Sequence, residues 1–107
     1  MGETTFRVIF SADAWMDLDE MAAFWIDRGE GRRAEKYSRD LVRTARLELR
    51  DPIRVRRGRP LRSREHPEAR EILAFGIYRI IYEINELEQR VEILRFWHAH
   101  RDDPPLG

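Results

Sequence analysis

The apolar residues of this 107-residue chain recur with two different periods, and the change between the two limits the fold more than any other feature. Between about residues 14 and 50, apolar side chains return every three to four positions, which is typical of amphipathic helices. Between about residues 70 and 98 they largely alternate along the chain, which is typical of strands. Helices therefore precede most of the strands, and the sequence predicts an α+β domain.

Two helices are predicted in the first half of the chain. The first runs from Ala14 to about Arg28, and either Ser11 or Asp13 can cap its N-terminus. The second runs from about Arg32 to Arg50 and ends before Pro52, because the residue that precedes a proline avoids helical geometry. Since the connection between them is short, we expect an antiparallel helical hairpin.

Four strands complete the predicted order β-α-α-β-β-β, in which the helical hairpin packs on a mostly antiparallel sheet. They span Phe6–Phe10, roughly Arg70–Phe75, Tyr78–Asn85, and Arg90 to about His98. Strict alternation in the last strand places Val91, Ile93, Arg95 and Trp97 on one face and Glu92, Leu94, Phe96 and His98 on the other. Both faces of the sheet are largely apolar, so the face away from the helices is expected to be partly covered or to bind something.

Five residues on the apolar stripes are expected in the core. Trp15, Trp25 and Tyr37 lie on the stripes of the two helices. Leu41 and Ile80 are expected to be buried where the hairpin meets the sheet.

Length and composition place the chain in a narrow class. The 107 residues fit one domain over 1–107, and residues 101–107 are polar and proline-broken, so we expect a loose tail there. The absence of cysteine excludes disulfides, thiolate nucleophiles and cysteine-based zinc sites. No apolar run approaches the ~20 residues that span a bilayer, and the N-terminus has no signal-peptide pattern, so a cytoplasmic, membrane-free protein is expected.

Charge is balanced over the chain but unevenly distributed. Twenty acidic residues match twenty basic ones, so no overall field draws in nucleic acid. Residues 51–70, however, carry seven arginines against three acidic residues. Glycine and prolines interrupt this run, which favours a solvated loop or a contact with a protein partner over a phosphate-binding surface.

Three motifs resemble segments of one toxin superfamily. The run Phe75–Ile84 resembles the G-x-Y-R-(I/L)-(I/V)-Y-x-(V/I) segment of ParE/RelE toxins, and Val91–Asp102 resembles their last strand, V-x-I-L-R-(V/F)-x-H-x-x-R-D. The runs Arg7–Ala14 and Asp17–Met21 resemble their first strand and first helix. Because the motifs occur in order at matching separations, the chain resembles the ParE/RelE superfamily over nearly its whole length.

This resemblance implies the toxin of a type II toxin–antitoxin system, with growth inhibition, plasmid stabilisation and neutralisation by a cognate, ParD-like antitoxin. ParE-like members poison DNA gyrase, whereas RelE-like members cut mRNA on the ribosome. The shared fold does not decide between them. Our interpretation is a ParE-like inhibitor that binds gyrase without chemistry of its own; the alternatives are a RelE-like, ribosome-dependent mRNA endonuclease and a binding module that has lost activity.

An endonuclease needs an acid, a base and cations that hold the charge of the transition state. If the chain is a ribonuclease, the resemblance implies Arg79, His98 and Arg101 as its catalytic residues. The strand that begins near Arg70, however, lacks the clustered lysines of RelE-like toxins. The alternative for Arg79 is an ion pair across the sheet, for example with Glu92.

Two binding surfaces are also predicted. The target-binding surface lies near the last strand and consists of Arg95, Trp97, His98 and Arg101. The antitoxin-binding surface is the basic face of the second helix, Arg39, Arg43, Arg46 and Arg50. The first helix presents acidic residues that include Asp17, so the opposed charges suit either a charge-steered interface or ion pairs between the helices.

No cofactor or metal is expected. His98 and His100 are two residues apart and could share a face, followed by Asp102. The sequence places no clear third ligand beside them, which a metal site would require.

Overall fold

A helical hairpin packed on a five-stranded sheet forms the frame of residues 5–106, the part of the chain that this computed structural model describes. The elements are β1 (Arg7–Phe10), α1 (Ala12–Asp27), α2 (Gly31–Leu49), α3 (Pro52–Val55), β2 (Arg59–Pro60), β3 (Ala69–Ala74), β4 (Tyr78–Asn85) and β5 (Arg90–His98). The predicted α+β order is confirmed, with short α3 and β2 added within the arginine-rich connection. Residues 1–4, part of the N-terminus in which a signal-peptide pattern was sought, lie outside the described residues.

The sheet has the strand order β1-β5-β4-β3-β2. β1 runs parallel to β5, and every other neighbouring pair is antiparallel, as predicted for a mostly antiparallel sheet. β4 and β5 have the predicted bounds. The first strand of the chain therefore pairs with the last strand, and the helical hairpin and the other three strands lie between them in the sequence.

Local capping sets the start of both α1 and α3. Ser11 is the cap of α1, and its Oγ accepts a hydrogen bond from the backbone N of Ala14 at 3.0 Å. This resolves the choice between Ser11 and Asp13. Asp51 caps α3 by accepting from the backbone N of Ile53 at 2.8 Å, and Pro52 occupies the first turn, where its missing N–H costs nothing.

One face of the sheet packs on the hairpin, and we name it the helix face. Its largest fully buried side chains are Leu41, Leu49, Val55, Ile80, Tyr82, Val91 and Ile93. Leu41 and Ile80 are both 0% exposed, so their predicted burial is confirmed. Trp25 and Tyr37 pack half-buried against this core. The prediction for Trp15 is wrong: its side chain is 44% exposed, because it lies in the first turn of α1 against the ring of Phe10 at 4.8 Å.

The other face, named the second face, has a smaller core. It consists of Leu61, Ala69, Ile81, Leu94 and Trp97, with Leu106 packed against it. No helix of the described residues covers this core; the loop over residues 61–68 and the segment Asp102–Leu106, named the closing segment, lie over it instead. Residues 101–106, which the sequence predicted as a loose tail, lie here as an extended chain across the sheet, because prolines prevent a helix there.

A β-bulge in β5 determines which side chains reach each face. Tyr82 pairs with Ile93 and Ile81 pairs with Arg95, so Leu94 is an extra residue with no partner on β4. The extra residue reverses the alternation, and Ile93 and Phe96 both lie on the helix face, whereas Leu94 lies on the second face. The strict alternation predicted for β5 is therefore wrong beyond residue 93.

Candidate functional site

Arg79 lies on the second face within a network of acidic partners. Its Nε donates to Oε2 of Glu71 at 2.6 Å, and its Nη2 donates to Oδ1 of Asp103 at 2.7 Å. Arg59 also donates to Glu71, which is 6% exposed. The sequence predicted a carboxylate partner across the sheet, but named Glu92; that residue lies opposite Glu83 instead.

The partners of Arg79 keep it charged and occupied. Burial acts to lower the pKa of Arg79, but the hydrogen bonds to Asp103 and Glu71 outweigh it, and the pKa is raised. Arg79 is 8% exposed, and its guanidinium already forms ion pairs with the two carboxylates of Glu71 and Asp103. A buried cation neutralised in this way has little charge left for a transition state.

The outer edge of β5 continues past the end of β1, and the start of α1 closes it. Ser11 donates from its backbone N to the carbonyl of Ile93 at 2.9 Å and from Oγ to the carbonyl of Leu94 at 2.9 Å. Asp17 then accepts from the backbone N of Phe96 at 3.0 Å. Polar side chains of α1 thus satisfy the strand edge where no further strand pairs with it.

Arg95 belongs to this edge closure. Its Nε and Nη2 donate to the two carboxylate oxygens of Asp17 at 2.7 and 2.8 Å, and its Nη1 donates to the carbonyl of Pro105 at 2.9 Å. The hydrogen bond to Asp17 is the main cause of a raised pKa for Arg95. Asp17 is only 6% exposed, so its predicted place on the polar face of α1 is wrong: the carboxylate turns inward because Arg95 and the backbone of β5 both bind it.

Trp97 lies on the second face and is 7% exposed. The guanidinium carbon of Arg101 lies 3.6 Å from the centre of its ring, and that of Arg95 lies 4.7 Å away. Its indole Nε1 donates to the carbonyl of Asp102 at 2.5 Å. The indole is thus held between two cations and beneath the closing segment.

A cleft of about 460 Å³ opens at the end of the sheet beside α1, and we name it the end cleft. Its lining residues are Asp17, Glu20, Met21, Phe24, Tyr78, Phe96, His98 and Arg101. The His98 ring packs edge-on against Tyr78 with centroids 5.9 Å apart. A cleft of this size, apolar with a few polar groups at its rim, has the character of a binding site.

The four predicted target-binding residues therefore do not share one surface. His98 and Arg101 line the end cleft, whereas Trp97 faces the opposite side of the sheet and Arg95 is tied to Asp17. Trp97 and His98 are adjacent in β5 and therefore point to opposite faces of the sheet. Sequence reasoning missed Phe24, an exposed aromatic residue beside the apolar stripe of α1, although an aromatic residue outside the stripe is a readable signal of a binding surface.

A second hollow, named the hairpin groove, lies between α1 and α2. Its volume is about 760 Å³, and its lining residues are Trp15, Leu18, Asp19, Ala22, Ser38, Arg39, Val42, Arg43, Arg46 and Leu47. Arg39, Arg43 and Arg46, three of the four predicted antitoxin-binding residues, form its basic border; Arg50 lines a separate hollow with Ile53.

The charges along this groove are not used to join the two helices. Among residues 5–106, no ion pair connects α1 to α2, and Arg39 approaches Asp40 of its own helix at 3.5 Å. The alternative of helix-to-helix ion pairs is therefore wrong. Exposed apolar side chains, Trp15 at 44% and Leu47 at 45%, line the same groove as these arginines and leave an amphipathic surface.

The histidine pair His98 and His100 has ring centroids 5.3 Å apart, and Nδ1 of His98 accepts from the backbone N of His100 at 3.1 Å. Within residues 5–106, no three or more His, Cys, Asp or Glu side chains are grouped as metal ligands. The same residues contain no helix whose length and apolarity would let it cross a membrane.

Comparison with known proteins places this arrangement in a family. Residues 8–103 match the sequence profile described as the ParE toxin of the type II toxin-antitoxin system parDE. A chain from the toxin–antitoxin complex RelBE2 of Mycobacterium tuberculosis is 26% identical, with a TM-score of 0.68 over 94% of this chain and 98% of that chain. No curated protein matches the sequence.

A second solved structure supports the fold alone. A chain of the chromosomal ParDE system of P. aeruginosa has a TM-score of 0.74 over 90% of this chain and 98% of that chain, at 18% identity. The resemblance drawn from three sequence motifs is confirmed by the profile match, and the fold that it implies is found in both structures. The chain belongs to the ParE toxin family of type II toxin–antitoxin systems.

Proposed function

We propose that this toxin acts by binding, that its target is DNA gyrase, and that it performs no chemistry on the target. The observation that carries the proposal is the state of Arg79, whose guanidinium is buried and neutralised by Glu71 and Asp103. A ribonuclease would need that cation free to hold the charge of a phosphorane. A toxin that binds gyrase and a cognate antitoxin would act in the cytoplasm.

The residues of the alternative endonuclease lie on different faces of the sheet. His98 stands directly opposite Tyr78 in the register and lines the end cleft, whereas Arg79 stands opposite Trp97 on the second face. Arg101 borders both regions. Because all three residues would have to act on one phosphate together, the separation of Arg79 from His98 favours a binding toxin over an mRNA endonuclease.

We assign target binding to the end cleft, with Arg101 and His98 at its rim and Phe24 at its apolar wall. Phe24 is 43% exposed and carries the guanidinium of Arg28 over its ring at 3.5 Å. An exposed aromatic residue beside cations suits the apolar and acidic side chains of a protein partner. Trp97 and Arg95 then support this surface from beneath rather than touching the target.

The mechanism is tested by expressing the toxin in bacteria without antitoxin and following the DNA-damage response and mRNA integrity together. Purified toxin is expected to inhibit gyrase supercoiling or to trap cleaved DNA, with ribosome-bound mRNA intact. His98→Ala and Phe24→Ala should each weaken inhibition gradually, by about 1–2 kcal/mol of binding. Leu87→Ala, at a residue 97% exposed in the β4–β5 loop, is the matched control. Codon-position cuts in mRNA that His98→Ala abolishes would instead establish the endonuclease.

We further propose that the cognate antitoxin, of the ParD-like kind, lays an acidic amphipathic helix into the hairpin groove. The apolar floor accepts the apolar face of such a helix, and Arg39, Arg43 and Arg46 attract its acidic face; Arg50 extends the basic row toward α3. Disordered antitoxin segments that fold on binding can cover a surface of this kind.

Co-expression with the product of the neighbouring small gene tests this proposal. Arg43→Glu should weaken the complex by about tenfold or more, because a like charge then faces the acidic partner. Arg32→Glu, at an exposed position of α2 outside the groove, is the matched control and should leave the complex intact. Equal weakening by both substitutions, or by neither, would contradict this docking site.

A further inference from the structure

His66 is placed between two groups that can only accept hydrogen bonds. Its Nδ1 lies 2.6 Å from Oε2 of Glu83 on β4, and its Nε2 lies 2.7 Å from the carbonyl oxygen of Leu106. A neutral imidazole carries a proton on one nitrogen only, so it can satisfy one of these acceptors. The protonated ring donates to both and joins the closing segment to the sheet.

The closing segment attaches to the second face at further points that do not titrate near neutral pH. Asp102 accepts from the Trp97 indole, Pro105 accepts from Arg95, and Pro104 is buried. At its end, Leu106 packs against the second-face core while its carbonyl faces His66. The last attachment of the segment thus depends on a group with an ordinary pKa near neutrality.

We propose that His66 is a pH-dependent latch: protonated, it holds the closing segment Asp102–Leu106 over the second face, and neutral, it lets the end of the segment detach. This inference goes beyond the proposed function and does not depend on the identity of the target.

The charged surroundings of His66 set the direction of the switch. Glu83 faces it from β4 and Glu92 acts on it from β5, while the closing segment contributes the Leu106 carbonyl. The hydrogen bond with Glu83 is the main cause of a raised pKa for His66, and burial opposes it. A pKa raised on folding stabilises the closed state below about 6.5, the ordinary value, and this stabilisation is lost as the pH rises through the raised value.

Neutral His66 keeps one of its two hydrogen bonds. The carboxylate of Glu83 is charged and accepts the remaining N–H more strongly than a backbone carbonyl does. Leu106 therefore loses its partner first. If the segment lifts as far as Asp103, Arg59 and Arg79 are left to share Glu71, and the face of Trp97 becomes accessible. Release would thus convert a covered apolar face into a cationic and aromatic surface.

The Trp97 indole reports directly on whether the closing segment is attached, because it donates to the carbonyl of Asp102. The NMR resonance of the Trp97 indole N–H is assigned by its absence in Trp97→Phe. Between about pH 5.5 and about pH 9, its chemical shift should change with the same midpoint as the titration of the His66 ring. Trypsin cleavage after Arg101, measured relative to a peptide with the same bond, should accelerate by up to about tenfold per pH unit as neutral histidine accumulates.

Two substitutions and one control make the test decisive. His66→Gln should remove the pH dependence of both readings, and Glu83→Gln should move the midpoint to lower pH because the partner that raises the pKa loses its charge. His100→Gln, which changes an exposed histidine outside the latch, should leave the wild-type profile. Titration of His66 without any response at Trp97, or a wild-type profile in His66→Gln, overturns the proposal.

Discussion

The two faces of the sheet are covered in different ways. The helix face is sealed by α1 and α2 over a broad aliphatic and aromatic core, in which Leu41, Ile80 and Ile93 are fully buried. The second face has a smaller core beneath a loop and the closing segment, which attach through arginines, one histidine and backbone carbonyls.

This difference separates the part of the molecule that provides its stability from the part whose contacts can change with pH. Apolar burial of the first kind does not depend on pH and is lost only when the domain unfolds. Polar attachments of the second kind are individually weak and depend on protonation, so they can open while the fold persists. We therefore expect the stability of the molecule to reside in the helix face and its adjustable surface in the second face.

The largest expected effect tests the helix face. Ile80→Ala should lower the free energy of unfolding by about 4 kcal/mol, because it leaves a cavity between α2 and β4 that the packed helices cannot fill. Urea denaturation measures the loss. Leu73→Ala on neighbouring β3, where the side chain is 62% exposed, is the control and should cost under about 0.5 kcal/mol. Similar costs at both positions would mean that this face is not the stable one.

The next largest loss of stability is expected at the outer edge of β5, which the start of α1 closes. Asp17→Asn removes the negative charge that faces Arg95 while keeping an oxygen for the backbone N of Phe96. Because it leaves a largely buried cation without its partner, we expect a loss of about 3 kcal/mol. Thermal unfolding at two salt concentrations would measure it, and a cost that disappears in high salt would show the pair to be solvent-screened instead.

A large-to-small substitution on the second face should cost less. Leu61→Ala lies under a loop rather than a helix, and the loop can close on the space that it leaves, so we expect about 2 kcal/mol, the low end for this change. Comparison with Ile80→Ala under the same denaturant conditions measures the difference directly. A loss equal to that of Ile80→Ala would remove the distinction between the faces.

The smallest effect on stability is expected at Asp103. Its carboxylate is 68% exposed, so Asp103→Asn should cost under about 1 kcal/mol although it removes a partner of Arg79. Trypsin cleavage after Arg101 should nevertheless become faster, because the closing segment loses one attachment. Unchanged cleavage in this variant would show that the ion pair does not help to hold the segment.

Much of the fold was predictable from the sequence because it follows from local patterns. The period of the apolar residues gave the order of elements, and the bounds of β4 and β5 were predicted correctly. Two predictions failed where a distant contact decided the outcome: Asp17 turned inward to Arg95, and Leu94 formed a bulge. Distant contacts also bring residues 102–106 onto the sheet. No pattern within a single segment carries such information.

The candidate site was predictable only in part for the same reason. The motifs identified the family, and of the four residues predicted to bind the target, the fold brings His98 and Arg101 together at one end of the sheet. The carboxylates that neutralise Arg79 come from β3 and from the closing segment, 8 and 24 residues away, and neither was foreseen. The neutralisation of Arg79 and the proposed latch at His66 both depend on how the strands pair and on where the closing segment packs, which local sequence patterns do not specify.

The extra residue Leu94 also affects how relatives are to be compared. A relative that lacks one residue at this point and keeps the same strand register would lose the bulge, while its counterparts of Phe96 and Trp97 would still lie on the helix face and on the second face. An alignment that matches the letters Arg-Phe-Trp-His across such a gap would then equate side chains that point in the same direction. A one-residue insertion or deletion there is therefore a single genetic step that could add or remove the bulge without exchanging the two surfaces of the last strand.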